Sequence, residues 1–258
     1  MLLVMDVGNT ITVIGLYDGS ELRAHWRSIT GNYRTSDELR VFLTSLLRAE
    51  GLEPKAVNGC CVSSVVPPLN AALTDLCVHH FGAEVVFVEP GVKTGLVIQV
   101  DNPKEVGADR IVNAVGALEN HQGPLIVIDF GTATTFDVIT AKGEYKGGII
   151  VPGIKTGADA LFEKCAKLPS VEITKPPHVI GKNTIDHIRS GLTYGYADLV
   201  DGLIQRMAAE MSDKPHVVAT GGFAELVAGI ASCIDHVDPY LTLKGLRAVF
   251  LKNRKGAA

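Results

Sequence analysis

The chain has 258 residues, enough for one large domain or two of ordinary size. Hydrophobic residues make up 47% and charged residues 20%, which excludes a disordered chain and fits a folded globular one. The net charge of −4 offers no basic surface for nucleic acid, and no apolar run reaches the roughly 18–20 residues that span a bilayer.

Strands are expected near 2–7, 11–17 and 22–28, followed by a helix from about Asp37 to Glu50. Thr35 and Glu38 have the capping-box spacing, and Leu39, Phe42, Leu43, Leu46 and Leu47 form an apolar stripe at helical period. A strand over 57–65, a helix opened by Pro67-Pro68 and running to about His80, and a strand over 85–88 come next. Asn102-Pro103 starts a helix expected to run to about Leu118. The second half repeats the plan: strands near 125–130, 134–140 and 144–151, a helix over 157–166, and an extended Pro-rich stretch from Pro169 to Pro177. A long helix over 186–211, a buried strand over 217–219, a helix over 223–230 and a final helix over 241–253 complete it. The tail from Lys252 to Ala258 is expected to fray.

Three meandering strands followed by alternating helices and strands, twice over, predict a duplicated α/β fold. The polar run Glu119-Asn120-His121-Gln122-Gly123-Pro124 marks the hinge, near 117–124. The domains are therefore expected at 1–118 and 119–258, with room for the last helix, 241–253, to pack back on the first half. The first five residues run from Met1 to Met5 without a basic segment and already read as a strand, not a signal peptide. The cysteines are Cys60, Cys61, Cys77, Cys165 and Cys233; their odd number and the lack of any C-x-x-C argue against disulfides and zinc. They are expected to be core thiols of a cytoplasmic protein.

The first strand ends in Asp6-Val7-Gly8-Asn9-Thr10-Ile11-Thr12. The device returns 123 residues later (129 − 6) as Asp129-Phe130-Gly131-Thr132-Ala133-Thr134-Thr135. Asp-x-Gly after a strand is ordinarily a β-turn. Two aligned copies with Thr-rich second strands point instead to phosphate: glycine lets the backbone approach a ligand, and turn N–H groups and hydroxyls donate to phosphate oxygens. A carboxylate there must act through Mg²⁺, water or another cation. Two such hairpins facing a cleft would grip a polyphosphate from both sides.

Gly107-Ala108-Asp109-Arg110 is expected inside the helix after Pro103. Asp109 could accept a substrate hydroxyl proton, and Arg110 could clamp a carboxylate; an ordinary charge pair at a helix end is the plainer alternative. Asp109 and Asn113 share one helical face. Thr220-Gly221-Gly222-Phe223, between a strand and a helix, could lie against a nucleotide's base and ribose. Gly148 to Thr156 misses the P-loop pattern, because Ile154 intervenes before Lys155-Thr156.

Taken in order, Asp6-Val7-Gly8-Asn9-Thr10, Gly107-Ala108-Asp109-Arg110, Asp129 to Thr135 and Thr220-Gly221-Gly222 resemble the type III pantothenate kinases. These belong to the acetate kinase, sugar kinase, Hsc70 and actin superfamily. The resemblance implies a duplicated ribonuclease H-like, actin-like ATPase fold with two similar domains and an interdomain cleft. It implies transfer of the ATP γ-phosphoryl group to the hydroxyl of pantothenate, the first step towards coenzyme A. By match of motif, Asp109 would be the catalytic base, and Gly107, Ala108, Asp109 and Arg110 would line the pantothenate site. Asp6, Val7, Gly8, Asn9, Thr10, Ile11, Thr12 and Val13 would form the first phosphate loop, with Mg²⁺ near Asp6 through water, and Thr132 would touch ATP. Asp129 would hold a monovalent cation, K⁺ or NH₄⁺. Thr184, within Gly181-Lys182-Asn183-Thr184, would reach pantothenate from the partner subunit of a homodimer. One position departs: Val100 stands where members often carry an aromatic residue before Asn-Pro, which bears on substrate fit. A non-catalytic nucleotide-binding regulator of the same fold is the alternative; intact Asp6, Asp109 and Asp129 argue against it. Another phosphotransferase or a phosphatase of the superfamily is a third reading, and Arg110 favours a carboxylated substrate over it.

Overall fold

The computed structural model describes residues 1–31 and 35–254. The strands and helices, in chain order, are β1 (Leu2–Val7), β2 (Ile11–Asp18), β3 (Glu21–Ile29), α1 (Ser36–Ala49), β4 (Gly59–Ser64), α2 (Pro67–Asp75) and β5 (Glu84–Phe87). Then come β6 (Val97–Ile98), α3 (Ala108–Asn120), β7 (Leu125–Phe130), β8 (Ala133–Ile139), β9 (Glu144–Pro152), α4 (Ile154–Lys164) and α5 (Thr184–Ala209). The chain ends with β10 (His216–Gly221), α6 (Ala224–Ala228), β11 (His236–Val237) and α7 (Leu241–Asn253).

The chain forms two compact units. The first takes Met1–Leu96, Asn102–Glu119 and the segment from Leu241. The second takes Val97–Asp101 and Asn120–Tyr240.

The first unit holds a five-stranded sheet in the order β3-β2-β1-β4-β5, with β1 antiparallel to β2 and parallel to β4. The second sheet runs β11-β10-β7-β8-β9-β6, with β7 antiparallel to β8 and parallel to β10. Apart from β6, this is the same third-second-first-fourth-fifth order, and β1 and β7 carry identical burial patterns. Both are apolar runs interrupted only by an Asp, as strands buried on both faces require. The fold is thus the duplicated ribonuclease H-like α/β fold of the actin-like ATPases.

In the first unit, Leu3, Met5 and Val7 of β1 pack with Leu39, Leu43 and Leu47 of α1 and with Leu69 and Leu73 of α2. α1 starts where the sequence places it: the Thr35 side chain accepts from the Glu38 N–H at 3.2 Å, and Glu38 Oε2 accepts from the Thr35 N–H at 2.8 Å. The other face of the sheet meets α7, and α3 lies against α7 through two glycines. A Cβ on Gly116 would fall 2.4 Å from the Leu241 carbonyl oxygen, and one on Gly245 would fall 2.0 Å from that of Val112. In the second unit, Ile126, Ile128 and Phe130 of β7 pack with Ala197, Val200, Ile204 and Met207 of α5.

Several expectations change. The helix after Pro103 is a single 3₁₀ turn, Pro103–Glu105, and α3 begins only at Ala108, so Gly107 lies before the helix. α4 starts at Ile154 rather than near 157, and α5 at Thr184 rather than 186. The short strands β6 and β11 carry no period to detect. Cys60, Cys61 and Cys77 are buried, but Cys165 and Cys233 are only half-buried; all five are free thiols. The start of the tail is tied down, with Lys252 Nζ bonded to Glu119 Oε1 at 2.9 Å and Asn253 Nδ2 donating to the Lys93 carbonyl at 2.8 Å. Residues 255–258 of the tail lie outside the described residues. No helix among the described residues is long and apolar enough to cross a membrane.

Candidate functional site

The first-unit hairpin closes between Val7 and Thr12, so Gly8 to Ile11 form the turn. The Gly8 N–H donates to the Ile11 carbonyl at 3.2 Å, and a Cβ on Gly8 would stand 2.9 Å from that oxygen. The turn is anchored to the end of β3, where the Thr30 N–H donates to the Thr10 carbonyl at 2.9 Å and Thr30 Oγ1 lies 2.8 Å from Thr12 Oγ1. Asn9, Thr10 and Ile11 are exposed at the tip. Val7 is a core side chain, so only its backbone is open to a ligand. Asp6 sits in register with Val13 of β2 and Ser63 of β4.

Asp109 stands in the first turn of α3. Its Oδ1 accepts from the Arg110 N–H at 2.9 Å, and a Cβ on Gly107 would lie 2.4 Å from that same oxygen. Glycine at 107 is therefore explained by the Asp109 carboxylate folding back over it, not by a helix position. One turn on, Asn113 is 1% exposed, and its Oδ1 accepts from Thr242 Oγ1 of α7 at 2.7 Å. Asp109 and Arg110 are half-buried, within reach of both protein and solvent.

The second-unit hairpin is one residue tighter. It closes between Phe130 and Thr134, so Gly131, Thr132 and Ala133 alone make the turn. The gapless match of Thr12 with Thr135 therefore slips: Thr12 faces Val7 as Thr134 faces Phe130. Asp129 is flanked by Thr135 on β8 and Thr220 on β10. Gly221, at φ +96°, closes around it; a Cβ there would stand 2.6 Å from Asp129 Oδ1 and 2.6 Å from the Phe130 nitrogen. Of the Gly-Gly pair, only Gly222 has open space around its Cα. Thr132 is exposed, and its carbonyl accepts from the Gly153 N–H at 3.0 Å and from Thr156 Oγ1 at 2.6 Å. The stretch that misses the P-loop pattern thus braces the second hairpin with the N-terminal end of α4.

Other residues were not legible in the sequence. Asp137 of β8 is fully buried and accepts from Tyr145 Oη at 2.6 Å and from Thr135 Oγ1 at 3.4 Å, which fixes the threonine beside Asp129. Tyr196 Oη donates to the Pro152 carbonyl at 2.8 Å and lies 2.7 Å from Thr134 Oγ1; burial pushes this phenol up, against the pull of Thr134. Ser63 gives no motif at all. Val100 is half-buried beside Gly147, where a Cβ would meet its Cγ1 at 3.5 Å. Thr184 is exposed at the first position of α5, after Asn183, whose Oδ1 accepts from the Asp186 N–H at 2.9 Å. Asp6 and Gly107 to Arg110 thus lie in the first unit; Asp129, Thr132, Val100 and Thr184 lie in the second.

Two copies of one sheet order, each with an Asp-bearing hairpin at its central strand, define the class of actin-like ATPases and sugar kinases. Two solved structures carry the same fold. Component A of (R)-2-hydroxyglutaryl-CoA dehydratase from Acidaminococcus fermentans matches with a TM-score of 0.58, at 18% identity over 99% of this chain and 98% of that one. The ROK hexokinase from Thermus thermophilus matches with a TM-score of 0.52, at 12% identity over 96% and 97%. Within that class the family is specific: residues 2–206 match the family described as type III pantothenate kinase. The type III pantothenate kinase of Anaeromyxobacter sp. (strain Fw109-5) is 54% identical over 98% of this chain and 100% of its own length. The chain belongs to the type III pantothenate kinase family.

A kinase of this family works on ATP with a divalent metal. The donors around Asp6 and Asp129 are carboxylate and hydroxyl oxygens, which suit a hard cation. Among the described residues no three His, Cys, Asp or Glu side chains gather into a cage. One carboxylate with phosphate oxygens and water is the usual holding of Mg²⁺.

Proposed function

We propose that Asp109 is the general base of this kinase and that Gly107, Ala108, Asp109 and Arg110 hold its acceptor substrate. The reaction is the ATP-dependent phosphorylation of the pantothenate hydroxyl to 4′-phosphopantothenate, the first step of coenzyme A biosynthesis. The observation that carries the assignment is the Asp109 carboxylate, anchored through Oδ1 on the Arg110 N–H and folded over Gly107. Anchoring one oxygen orients the other to accept the hydroxyl proton. The Arg110 guanidinium offers a planar fork to the pantothenate carboxylate.

Phosphoryl transfer passes through a loose transition state, so positioning and charge neutralisation supply most of the catalysis. The backbone and hydroxyls of Asp6 to Val13 and of Thr132 are proposed to hold the ATP phosphates, with Gly222 leaving room beside the nucleoside. Asp6 would hold Mg²⁺ through water, and Asp129 would hold K⁺ or NH₄⁺. These cations offset charge on the phosphates; Asp109 need only orient the hydroxyl and take its proton late. Val100, in the place of an aromatic residue, is proposed as an apolar contact to the substrate.

Thr184 is proposed to reach pantothenate in the partner subunit of a homodimer. Its exposure at the start of α5, next to exposed Val179, Ile180 and Ile185, suits a covered surface; Ile180 is 84% exposed in the single chain. With its acidic balance and its metabolic role, we place the protein in the cytoplasm, with no part for nucleic acid or membrane.

The test is phosphorylation of pantothenate by purified protein, with and without Mg²⁺, and with K⁺, NH₄⁺ or neither. No turnover under any condition would favour a nucleotide-binding regulator instead. Asp129→Ala should abolish activation by the monovalent cation, since a carboxylate at that strand end needs a positive partner. An unchanged potassium curve would move the cation elsewhere.

A further inference from the structure

Ser63 is a buried polar side chain on the strand beside Asp6. It is 0% exposed, and its hydroxyl has no hydrogen-bond partner among the described residues. A buried hydroxyl left unpaired weakens the folded state, so native structures rarely keep one without a function. Its position is specific. In the parallel pairing of β4 with β1, Ser63 is the register partner of Asp6, so both side chains leave the same face of the sheet. Parallel neighbours stand about 4.8 Å apart. A rotation of either side chain therefore brings the hydroxyl within bonding distance of the carboxylate. Both lie at the carboxyl ends of their strands, where open α/β sheets bind ligands. The Val65 N–H donates to the Val7 carbonyl at 3.0 Å, so the chain after Ser63 stays fastened to the strand that carries Asp6.

We propose that Ser63 is a positioning residue for ATP binding: its hydroxyl donates to the inner oxygen of the Asp6 carboxylate when nucleotide and cation are bound, and so aims the outer oxygen at them. The inference rests on the proposed role of Asp6. A hydroxyl that pairs only in the liganded state explains why it is kept although it stabilises nothing in the free protein. Being fully buried, it acts through Asp6 and not on the substrate.

The experiment compares Ser63→Ala, Ser63→Cys and Asp6→Asn with the unmodified protein. It reads thermal unfolding with and without Mg²⁺ plus a non-hydrolysable ATP analogue, and the Michaelis constants for both substrates. Removing the unpaired hydroxyl should raise the Tm of ligand-free Ser63→Ala by about 2–4 °C. It should at the same time reduce the nucleotide-induced Tm shift to less than half and raise the KM for ATP about tenfold, leaving that for pantothenate unchanged. Ser63→Cys, which keeps shape with a weak donor, should show the same loss of nucleotide response should the alanine variant fold poorly. A full nucleotide response in both Ser63 variants, whatever their Tm, overturns the proposal. A full response in Asp6→Asn overturns the role of Asp6 itself, and the inference with it; loss in Asp6→Asn alone leaves that role standing and sinks only Ser63.

Discussion

Two residues of the candidate site are placed by glycines, and each case carries a prediction. Gly107 leaves the space that the Asp109 carboxylate fills, and the Arg110 N–H holds its Oδ1. Asp109→Asn keeps that shape and removes the proposed base. It should fold normally and lose about 10²–10⁴-fold in kcat, the usual contribution of a general base. Steady-state kinetics beside a melting curve decide it: a variant within a few-fold of the parent would end the assignment. Gly221 is the other case. At φ +96° it adopts a backbone that alanine resists, and an added Cβ would press on both Asp129 and Phe130. Gly221→Ala should cost about 1–3 kcal/mol in stability and displace Asp129, so cation activation should weaken together with Tm. An alanine variant that is as stable and as cation-responsive as the parent would disprove the cradle. At this scale the sequence was informative wherever chemistry and spacing coincide. The strand-end position of Asp129 and the helix-start position of Asp109 follow the elements that carry them, and the Thr35–Glu38 cap could be read directly. Ser63, and the Asp137–Tyr145 pair that steadies Thr135, could not. A single hydroxyl or carboxylate inside a strand has no spacing signal, and its meaning comes only from the strand beside it.

At the scale of elements, the central strands were legible because a doubly buried strand is a continuous apolar run, and β1 and β7 keep that run up to their Asp. The hairpin turns were legible only in outline. The second turn is one residue shorter, and a deletion inside a turn leaves no mark on the apolar pattern that aligns the strands. The break before α3 was missed for a related reason: Pro103 and Asn102 do start a helical turn, but Val106 is extended and Gly107 is kept small for Asp109. One loop joins elements through a single carboxylate. Asp201 on α5 accepts from the N–H groups of Ser232 and Cys233 at 3.0 Å each and from Ser232 Oγ at 3.0 Å, holding the turn between α6 and β11. Burial pushes this carboxyl up, but the hydrogen bonds from Cys233 and Ser232 outweigh it and hold it below its ordinary value of 3.8. A carboxyl depressed in the folded state stabilises it above the unfolded value and loses that contribution as pH falls through the folded one. Asp201→Asn should therefore be less stable than the parent at pH 7, and the gap should begin to narrow near the ordinary value of 3.8 and close only below the depressed one. Urea unfolding at pH 7 and in acid tests this; a gap that persists in acid would show that the carboxylate's charge is not what matters.

On the scale of the whole molecule, the repeated order of the two sheets makes each unit the bearer of one Asp-bearing hairpin, and the proposed pairing of two chains would add Thr184. Two subunits would then build each site, a claim that mixed mutants can decide. Asp109→Ala and Thr184→Ala should each be nearly inactive alone. Unfolded and refolded together in equal amounts, they pair at random, and about half of the dimers are heterodimers under twofold symmetry. If Thr184 serves the neighbouring subunit, one site of each heterodimer collects both substitutions and the other collects neither. About a quarter of all sites, and about a quarter of the parent activity, should then return, by counting under that same symmetry. If Thr184 serves its own subunit, every site carries one substitution and activity stays absent. Heterodimers verified by differential tagging that remain inactive would refute the shared site. They would leave the proposed role of Asp109 untouched, because the Arg110 N–H that holds its carboxylate and the glycine beneath it belong to the same chain.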